Sequence, residues 1–221
     1  VAVITGASGV IGQETIRVFK REGAIVAAVD LASGAEGMDL FIEADLTDEQ
    51  QVQSLYKKVH DKLGRVDVLF NNAGISDSRD GSVLETDAGI WDRVVHVNMK
   101  SVFLCCKHGI PYLLQAGGGS VINTASLVAS MGSATSQIAY TASKGGVLSL
   151  SRELGVEFAK KGIRVNAISP GPVETPLLRT MFSPKESARR LVHVPPGRFA
   201  RPEEIAEAVA FLASDRSSYI N

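Results

Sequence analysis

The strand, turn and helix pattern at the start of the chain constrains the fold most. Val1 to Ile4 is an uninterrupted apolar run, which is typical of a strand buried on both faces of a parallel sheet. It leads into the glycine-rich run TGASGVIG, Thr5 to Gly12, and then into Gln13 to Glu22, where apolar residues have helical spacing. Such a turn presents free backbone N–H groups and the positive end of a helix to a phosphate.

An acidic residue supports a dinucleotide site at this turn. The next apolar strand, Ile25 to Val29, ends in Asp30, at about the distance where a carboxylate meets a ribose. A glycine-rich turn alone can be an ordinary connection, but with Asp30 it predicts dinucleotide binding. A carboxylate here favours NAD over NADP, because NADP brings a phosphate to the same place. We expect the turn to contribute Gly6, Ser8, Gly9, Val10 and Ile11.

Strands and helices alternate along the rest of the chain, with no internal repeat and no linker. This predicts one doubly wound α/β domain with a parallel sheet over residues 1–221. We expect a capping box of Thr47 with Gln50 to start the helix that carries Val52, Leu55, Tyr56, Val59 and Leu63, and Gly64 to end it. Further strands are predicted at 40–44, 66–70, 120–124 and 163–169, and further helices at 88–114, 139–160 and 203–212.

Two stretches leave alternatives open. Leu31 to Met38 is too short for the usual helical crossover, so the connection is unusually short or residues are absent from the numbering. Residues from Thr175 to about 196 carry prolines and a basic pair, Arg189-Arg190, and predict a substrate lid or a plain surface excursion. The chain also opens inside a strand and stops at Asn221 after a helix, so we expect both ends to continue.

Tyr140 and Lys144 in YTASK are the first candidates for chemistry. Four residues apart, they occupy one helix face, one turn from each other. An ammonium beside a phenol is expected to lower the pKa of the phenol, which can then act as acid or base for an alcohol or ketone. Ser126, after a predicted strand, could hold the reacting oxygen. The same spacing also occurs in ordinary surface pairs.

Composition excludes several classes of protein. The net charge is −1 without a basic cluster, which argues against nucleic acid or an anionic membrane as partner. No apolar run approaches the ~20 residues of a membrane span, and no secretion signal is visible. The neighbours Cys105 and Cys106 lie in an apolar helix and predict reduced core thiols in a cytoplasmic protein. The four histidines are scattered, so no metal site is expected.

The long helix around residues 88–114 predicts self-association. Its middle, Val94 to Cys106, is apolar nearly all round, as in a subunit interface, and predicts a homodimer or homotetramer. Asn98 lies within this stretch, where a buried asparagine normally has a structural hydrogen-bonding role.

Taken together, the motifs resemble the short-chain dehydrogenase/reductase family over almost the whole chain. They stand in the family's order: TGASGVIG, Asp30, Asp45-Leu46, NNAG (Asn71 to Gly74), Asn98, Ser126, YTASK and PGPVET. The resemblance implies a Rossmann fold, a nicotinamide cofactor, and hydride transfer between an alcohol and a carbonyl. The substrates it implies are those of 3-oxoacyl carrier-protein reductases or of sugar and hydroxysteroid dehydrogenases. The substrate would therefore be a small alcohol, a ketone or an acyl thioester.

The resemblance also implies roles for single residues. Tyr140 would be the acid/base, Lys144 its pKa-lowering partner and ribose ligand, Ser126 the substrate-orienting group, and Asn98 the holder of a relay water. The further cofactor contacts would be the adenine-side residues Asp45, Leu46, Asn72, Ala73 and Gly74 and the carboxamide-side residues Pro170, Gly171, Val173 and Thr175.

The chain departs from the family pattern in three places. Val10 stands where glycine is usual, so the cofactor is pushed outward or the turn rearranges around Gly9. Ser126 and Tyr140 are one residue further apart than the pattern predicts. A final strand after Asn221 is missing, which leaves an unpaired sheet edge. An alternative function is a dinucleotide-binding regulator or scaffold without catalysis, although binding alone would not require all of Asn98, Ser126, Tyr140 and Lys144.

Overall fold

The chain folds around one parallel sheet. The structure, a computed structural model, describes residues 1–133, 135–175, 191–192 and 194–221. In this part, the strands are β1 (Ala2–Thr5), β2 (Val26–Asp30), β3 (Leu40–Glu43), β4 (Val68–Asn71), β5 (Gly119–Thr124) and β6 (Ile163–Ile168). They are hydrogen-bonded in the order β3-β2-β1-β4-β5-β6, all parallel. This order confirms the predicted doubly wound Rossmann architecture.

Helices cover both faces of this sheet. The described helices are α1 (Val10–Arg21), α2 (Glu49–Leu63), α3 (Ala88–Val95), α4 (Ser101–Gln115), α5 (Ile138–Phe158) and α6 (Pro202–Ala213). The predicted long helix at 88–114 is confirmed as continuous helical backbone. It consists of α3 and α4 joined by a π-helical turn, His96–Lys100. A π-helical turn contains one residue more than an α-helical turn and is frequent at functional sites.

The apolar run of β1 is buried on both faces, as its sequence predicts. Val3 packs into a cluster with residues of α2, α4 and α5, whereas Ala2 and Ile4 pack into a second cluster with α1 and α6. All three side chains are at most 2% exposed. Because successive side chains of a strand point to opposite faces, one short strand joins both halves of the core.

The connection between β2 and β3 is unusually short, which is the first of the two alternatives for residues 31–38. Residues 31–39 lead directly into β3, which pairs with β2 from Ala27 opposite Leu40 to Asp30 opposite Glu43. The loop is tied to α1 by two reciprocal hydrogen bonds, in which Gln13 Nε2 donates to the Glu36 carbonyl and Glu36 N donates to Gln13 Oε1. Ala35 of the same loop is buried against the cluster that contains α1.

The predicted capping box of Thr47 with Gln50 is wrong. The N-cap of α2 is Asp48, whose Oδ1 accepts hydrogen bonds from the backbone N–H groups of Gln50 and Gln51 at 2.9 and 3.2 Å. A carboxylate is the stronger acceptor at the positive end of a helix, so it takes the place of the threonine. The predicted stop at Gly64 is confirmed, since this residue closes α2 with a left-handed φ of 82°.

Two neighbouring cysteines lie in the core. Cys105 and Cys106 are buried free thiols in α4, as predicted, and burial raises the pKa of Cys105 to about 12. Among the described residues, none of the helices has the length and apolar character that crossing a membrane requires.

Candidate active site

A cavity of about 740 Å³ opens at the carboxyl ends of the strands, beside the point where the strand order reverses between β1 and β4. In open α/β sheets, ligands bind at this place. Ten of the predicted site residues line it: Ile11, Asn72, Gly74, Ser126, Tyr140, Lys144, Pro170, Gly171, Val173 and Thr175. The other predicted residues, all within the described part, do not line it: Gly6, Ser8, Gly9, Val10, Asp30, Asp45, Leu46, Ala73 and Asn98.

The glycine-rich turn has the shape of a phosphate cradle. Gly6 has φ of 63°, and a Cβ there would lie 2.9 Å from the Ala73 Cα. Gly9 is the N-cap of α1, and in the described structure no side chain caps this helix. The N–H groups of its first turn are therefore available to an anion, and the positive helix end favours one. A dinucleotide pyrophosphate fits this arrangement.

Val10 takes a regular helical position in this turn. It is the first residue of α1 and is 37% exposed, while the tight contact in the turn is the Gly9 N–H donating to the Gly6 carbonyl at 3.2 Å. Of the two alternatives for Val10, this geometry favours a turn that closes around Gly9.

Asp30 is tied directly to the glycine-rich turn. Its Oδ2 accepts the Ser8 N–H at 2.8 Å, and its Oδ1 accepts the N–H of Leu31 at 2.8 Å. The adjacent strand brings the second predicted carboxylate near, because the Ala44 N–H donates to the Asp30 carbonyl. Asp45 itself accepts both the N–H and the hydroxyl of Thr47. The predicted ribose and adenine residues thus share one edge of the site.

Thr5 joins the two halves of the site, a role that the sequence analysis missed. Its buried hydroxyl accepts the N–H groups of Asn72 and Ala73 at 3.0 and 3.2 Å. This holds the NNAG run against the glycine turn. The threonine that opens TGASGVIG was the available signal.

Tyr140 and Ser126 meet inside the cavity. Ser126 follows β5 and is 8% exposed, whereas Tyr140 lies in the first turn of α5. Burial raises the pKa of the Tyr140 phenol, and the nearby Ser126 hydroxyl acts in the opposite direction. The net result keeps the phenol protonated near neutral pH.

The lowering effect predicted for Lys144 does not appear in the pKa of this phenol, which burial raises. Lys144 Nζ lies 5.8 Å from the Tyr140 ring centroid and donates to the carbonyl of Thr124 at 2.7 Å. Burial lowers the pKa of Lys144 itself to about 8. Burial is thus the largest cause of the shift in both pKa values.

Asn98 has the structural role that its burial suggests. It lies in the π-helical turn, where its Oδ1 accepts the Ile75 N–H at 2.8 Å and its Nδ2 donates to the Ile75 carbonyl and to Ser143 Oγ, each at 3.0 Å. Both amide hydrogens are used, and one lone pair of Oδ1 remains. The relay role stays a prediction.

Gly74 allows Asn98 and Lys144 to approach the end of β4 together. A Cβ on Gly74 would lie 3.2 Å from both the Asn98 Oδ1 and the Lys144 Nζ. The predicted close backbone approach at NNAG therefore serves side chains of the site as well as any ligand.

A second missed residue is Asp80, in the loop after β4. Its carboxylate is buried and accepts the backbone N–H groups of Ala139 and Tyr140. In the sequence it is an ordinary aspartate of a polar loop, and no local pattern marks it. The predicted lid can be judged less fully, because residues 176–190 and 193 lie outside the described part of the chain.

Fold and site together define a Rossmann domain with a tyrosine, a lysine and a serine in one cavity. Residues 6–221 match the family described as enoyl-(acyl carrier protein) reductase. The chain is 39% identical over 230 residues to the cis-4-hydroxycyclohexanecarboxylate dehydrogenase of Sinomonas cyclohexanicum, covering 100% of this chain and 91% of the relative. It is 40% identical over 233 residues to a 3-oxoacyl-(acyl-carrier-protein) reductase of Thermotoga maritima, covering 100% and 92%.

A solved structure agrees with these relatives. The crystal structure of levodione reductase superposes with a TM-score of 0.94 at 33% identity, over 100% of this chain and 92% of that one. The chain belongs to the short-chain dehydrogenase/reductase family. The resemblance read from the motifs is thereby confirmed.

Proposed function

We propose that this protein transfers a hydride between NAD(H) and a secondary alcohol or ketone, with Tyr140 as the acid/base. The observation that carries the proposal is the meeting of Tyr140, Ser126 and Lys144 in one cavity beside the glycine-rich turn. The names of the relatives, a hydroxycyclohexanecarboxylate dehydrogenase and an oxoacyl reductase, support chemistry at a carbon that carries oxygen.

The residues present fit a nicotinamide dinucleotide. The uncapped start of α1 would hold the pyrophosphate, Asp30 the adenine ribose, and the backbone around Val173 with Thr175 the carboxamide. When bound, the cofactor supplies or accepts the hydride. We propose NAD rather than NADP, because an ionised aspartate at the ribose disfavours a phosphate there.

Proton transfer falls to the chain's own residues. The protonated Tyr140 phenol can donate to a carbonyl oxygen in the reductive direction, and its conjugate base can accept from an alcohol in the reverse. Ser126 orients that oxygen by a hydrogen bond. Lys144, held by the Thr124 carbonyl, keeps a positive charge near the reacting groups below a pH of about 8. Asn98 has one Oδ1 lone pair left to hold a relay water.

The walls of the cavity favour a partly apolar substrate. Ile75, Leu127, Val128, Met131 and Val194 supply apolar surface, and polar groups are contributed by Ser76, Ser133 and Gln137. This mixture suits a small alcohol, a ketone or the acyl part of a thioester. We also propose that residues 1–221 form one domain of a cytoplasmic enzyme.

Replacing Tyr140 by phenylalanine tests the proposal. Tyr140→Phe removes only the phenol oxygen, so we expect turnover to fall by about 10²–10⁴ while the cofactor Kd stays nearly unchanged. The measurement is a screen of ketones, alcohols and acyl thioesters with both redox forms of NAD, followed at the nicotinamide absorbance. Tyr112→Phe is the matched control, because it removes a phenol oxygen from α4 outside the cavity lining.

Two outcomes would contradict the proposal. If Tyr140→Phe keeps more than about a tenth of the turnover, Tyr140 is not the acid/base. If NAD binds but no substrate in the screen is converted, the alternative of a dinucleotide-binding regulator or scaffold gains support.

A further inference from the structure

Asp80 contacts the start of the helix that carries Tyr140. It lies in the loop between β4 and α3 and is 6% exposed. Its Oδ1 accepts the Ala139 N–H at 3.0 Å, and its Oδ2 accepts the N–H of Tyr140 at 2.8 Å. Both carboxylate oxygens are thus engaged by consecutive backbone groups in the first turn of α5.

This contact replaces a cap that α5 does not have within its own sequence. The N-cap residue Gln137 makes no side-chain capping bond, and its Nε2 donates to Ser133 Oγ instead. The first N–H groups of a helix have no partner inside the helix, and a negative group is favourable at this positive end. A carboxylate about sixty residues earlier in the chain therefore closes the helix from outside.

The loop that carries Asp80 is itself held at a fixed place. Asn98 binds both backbone groups of Ile75 at the start of the loop. The Asp80 N–H donates to the Asp77 carbonyl, and Gly81 N donates to Thr86 Oγ1. The loop is therefore anchored on the π-turn at one end and on α5 near the other, and the π-turn is also bonded to α5 directly, because Asn98 Nδ2 donates to Ser143 Oγ.

We propose that Asp80 is a positioning residue for Tyr140. It fixes the backbone of Tyr140 by a hydrogen bond at that residue itself, while Ser126 is carried by a different element, after β5. A displacement of the first turn of α5 would thus move the phenol relative to Ser126. Displacements of about 1 Å can cost about 10²-fold in rate. The inference rests on the proposed acid/base function of Tyr140.

The test compares Asp80→Asn and Asp80→Ala with the wild type. Asparagine keeps the shape and one acceptor oxygen, whereas alanine removes both acceptors. We expect kcat at saturating NAD to fall by about 10- to 100-fold for Asp80→Ala and by less for Asp80→Asn. The KM for substrate and the Kd for NAD should change by less than about threefold, since Asp80 does not line the cavity.

Asp48→Ala is the matched control. Asp48 caps α2 through the Gln50 and Gln51 N–H groups and does not line the cavity, so its loss removes a helix cap remote from the chemistry. We expect a lower unfolding temperature and an unchanged kcat at saturating NAD. Crystal structures of the Asp80 variants provide a readout that does not need activity, because the Tyr140 phenol should move away from the Ser126 hydroxyl.

A purely structural role for Asp80 predicts a different result. Unfolding temperatures that fall as in Asp48→Ala, with kcat within about twofold of wild type, would overturn the inference. So would a rise in KM with unchanged kcat. If Asp80→Ala fails to fold, Asp80→Asn is judged by the same criteria. An active Tyr140→Phe would instead remove the proposed function, and the inference with it.

Discussion

At the scale of single residues, burial controls the charges of the site. It lowers the pKa of Lys144 to about 8 and raises that of Tyr140, so both groups keep their protons at pH 7. The spacing of a tyrosine and a lysine four residues apart on one helix face predicts a lowered pKa for the phenol. The difference arises because burial disfavours the charged phenolate, while Lys144 donates to the Thr124 carbonyl.

Cofactor choice also belongs to a single residue, Asp30. We expect a preference for NAD over NADP of about 10²–10⁴ in kcat/KM, because a phosphate at the ribose would face this carboxylate and a hydrogen-bonded pair would be lost. The measurement compares kcat/KM for the two cofactors on any working substrate, in the wild type and in Asp30→Ala. The variant should lose most of the preference.

The control for this prediction is Glu43→Ala. Glu43 is exposed and is the register partner of Asp30 on the neighbouring strand, so it tests whether any carboxylate at this edge is sufficient. Its loss should leave the preference within about threefold of wild type. Equal use of both cofactors by the wild type would refute the assignment, and a preference that survives Asp30→Ala would belong to another residue.

At the scale of elements, the contact between β1, the turn and α1 depends on glycine. A Cβ on Gly12 would lie 2.2 Å from the Gly6 carbonyl oxygen and 2.7 Å from the Ala7 Cα. Both contacts are with backbone, so no side chain can move aside. The helix can therefore begin directly beneath the turn only because residue 12 has no side chain.

A pair of Gly→Ala variants tests this packing. Gly12→Ala should lower the free energy of unfolding by at least about 1–3 kcal/mol, the usual cost of overpacking. Gly145→Ala should raise it by up to about 1 kcal/mol, because alanine is the better helix former. Among the described residues, a Cβ on Gly145 of α5 would meet only the Ala129 carbonyl, at 3.9 Å. Urea denaturation of both variants measures the difference, and equal effects would contradict this account of the turn.

At the scale of the whole molecule, exposed apolar side chains suggest how copies associate. In the described structure, Trp91 of α3, Phe103 of α4 and Val156 of α5 are 38%, 48% and 82% exposed. Apolar side chains on one set of helices are typical of a two-fold interface. Within the predicted interface stretch, Val94, Val102, Leu104, Cys105 and Cys106 are buried in the chain itself, so association through the long helix stays a prediction that depends on side chains such as Phe103.

We expect the protein to be a dimer or tetramer at micromolar concentration. Light scattering after size-exclusion chromatography should give a multiple of the 23.4 kDa chain mass. The double variant Phe103→Glu with Val156→Glu should shift the mass towards the monomer, because it would bury like charges across the interface. Ile25→Glu, a change of another exposed apolar residue directly before β2, should leave the mass unchanged. A wild-type monomer would refute the prediction.

The sequence by itself determined the features that depend on neighbouring residues. Apolar runs, glycines and helical spacing predict the alternation of strands and helices, the end of α2 at Gly64 and the common helix of Tyr140 and Lys144. These patterns are local, because a strand or helix forms from residues close in the chain. The competition between Thr47 and Asp48 for one cap shows the limit of such patterns, since both residues suit the position.

Only the tertiary structure decided how the site is assembled. The cap of Asp80 on α5, the hold of Asn98 on Ile75 and the bond of Lys144 to Thr124 join residues that lie 20 to 60 positions apart. The pKa directions of Tyr140 and Lys144 likewise depend on how much of the fold surrounds them. Desolvation is a property of packing from all sides, so the local motif that carries these two residues does not encode it.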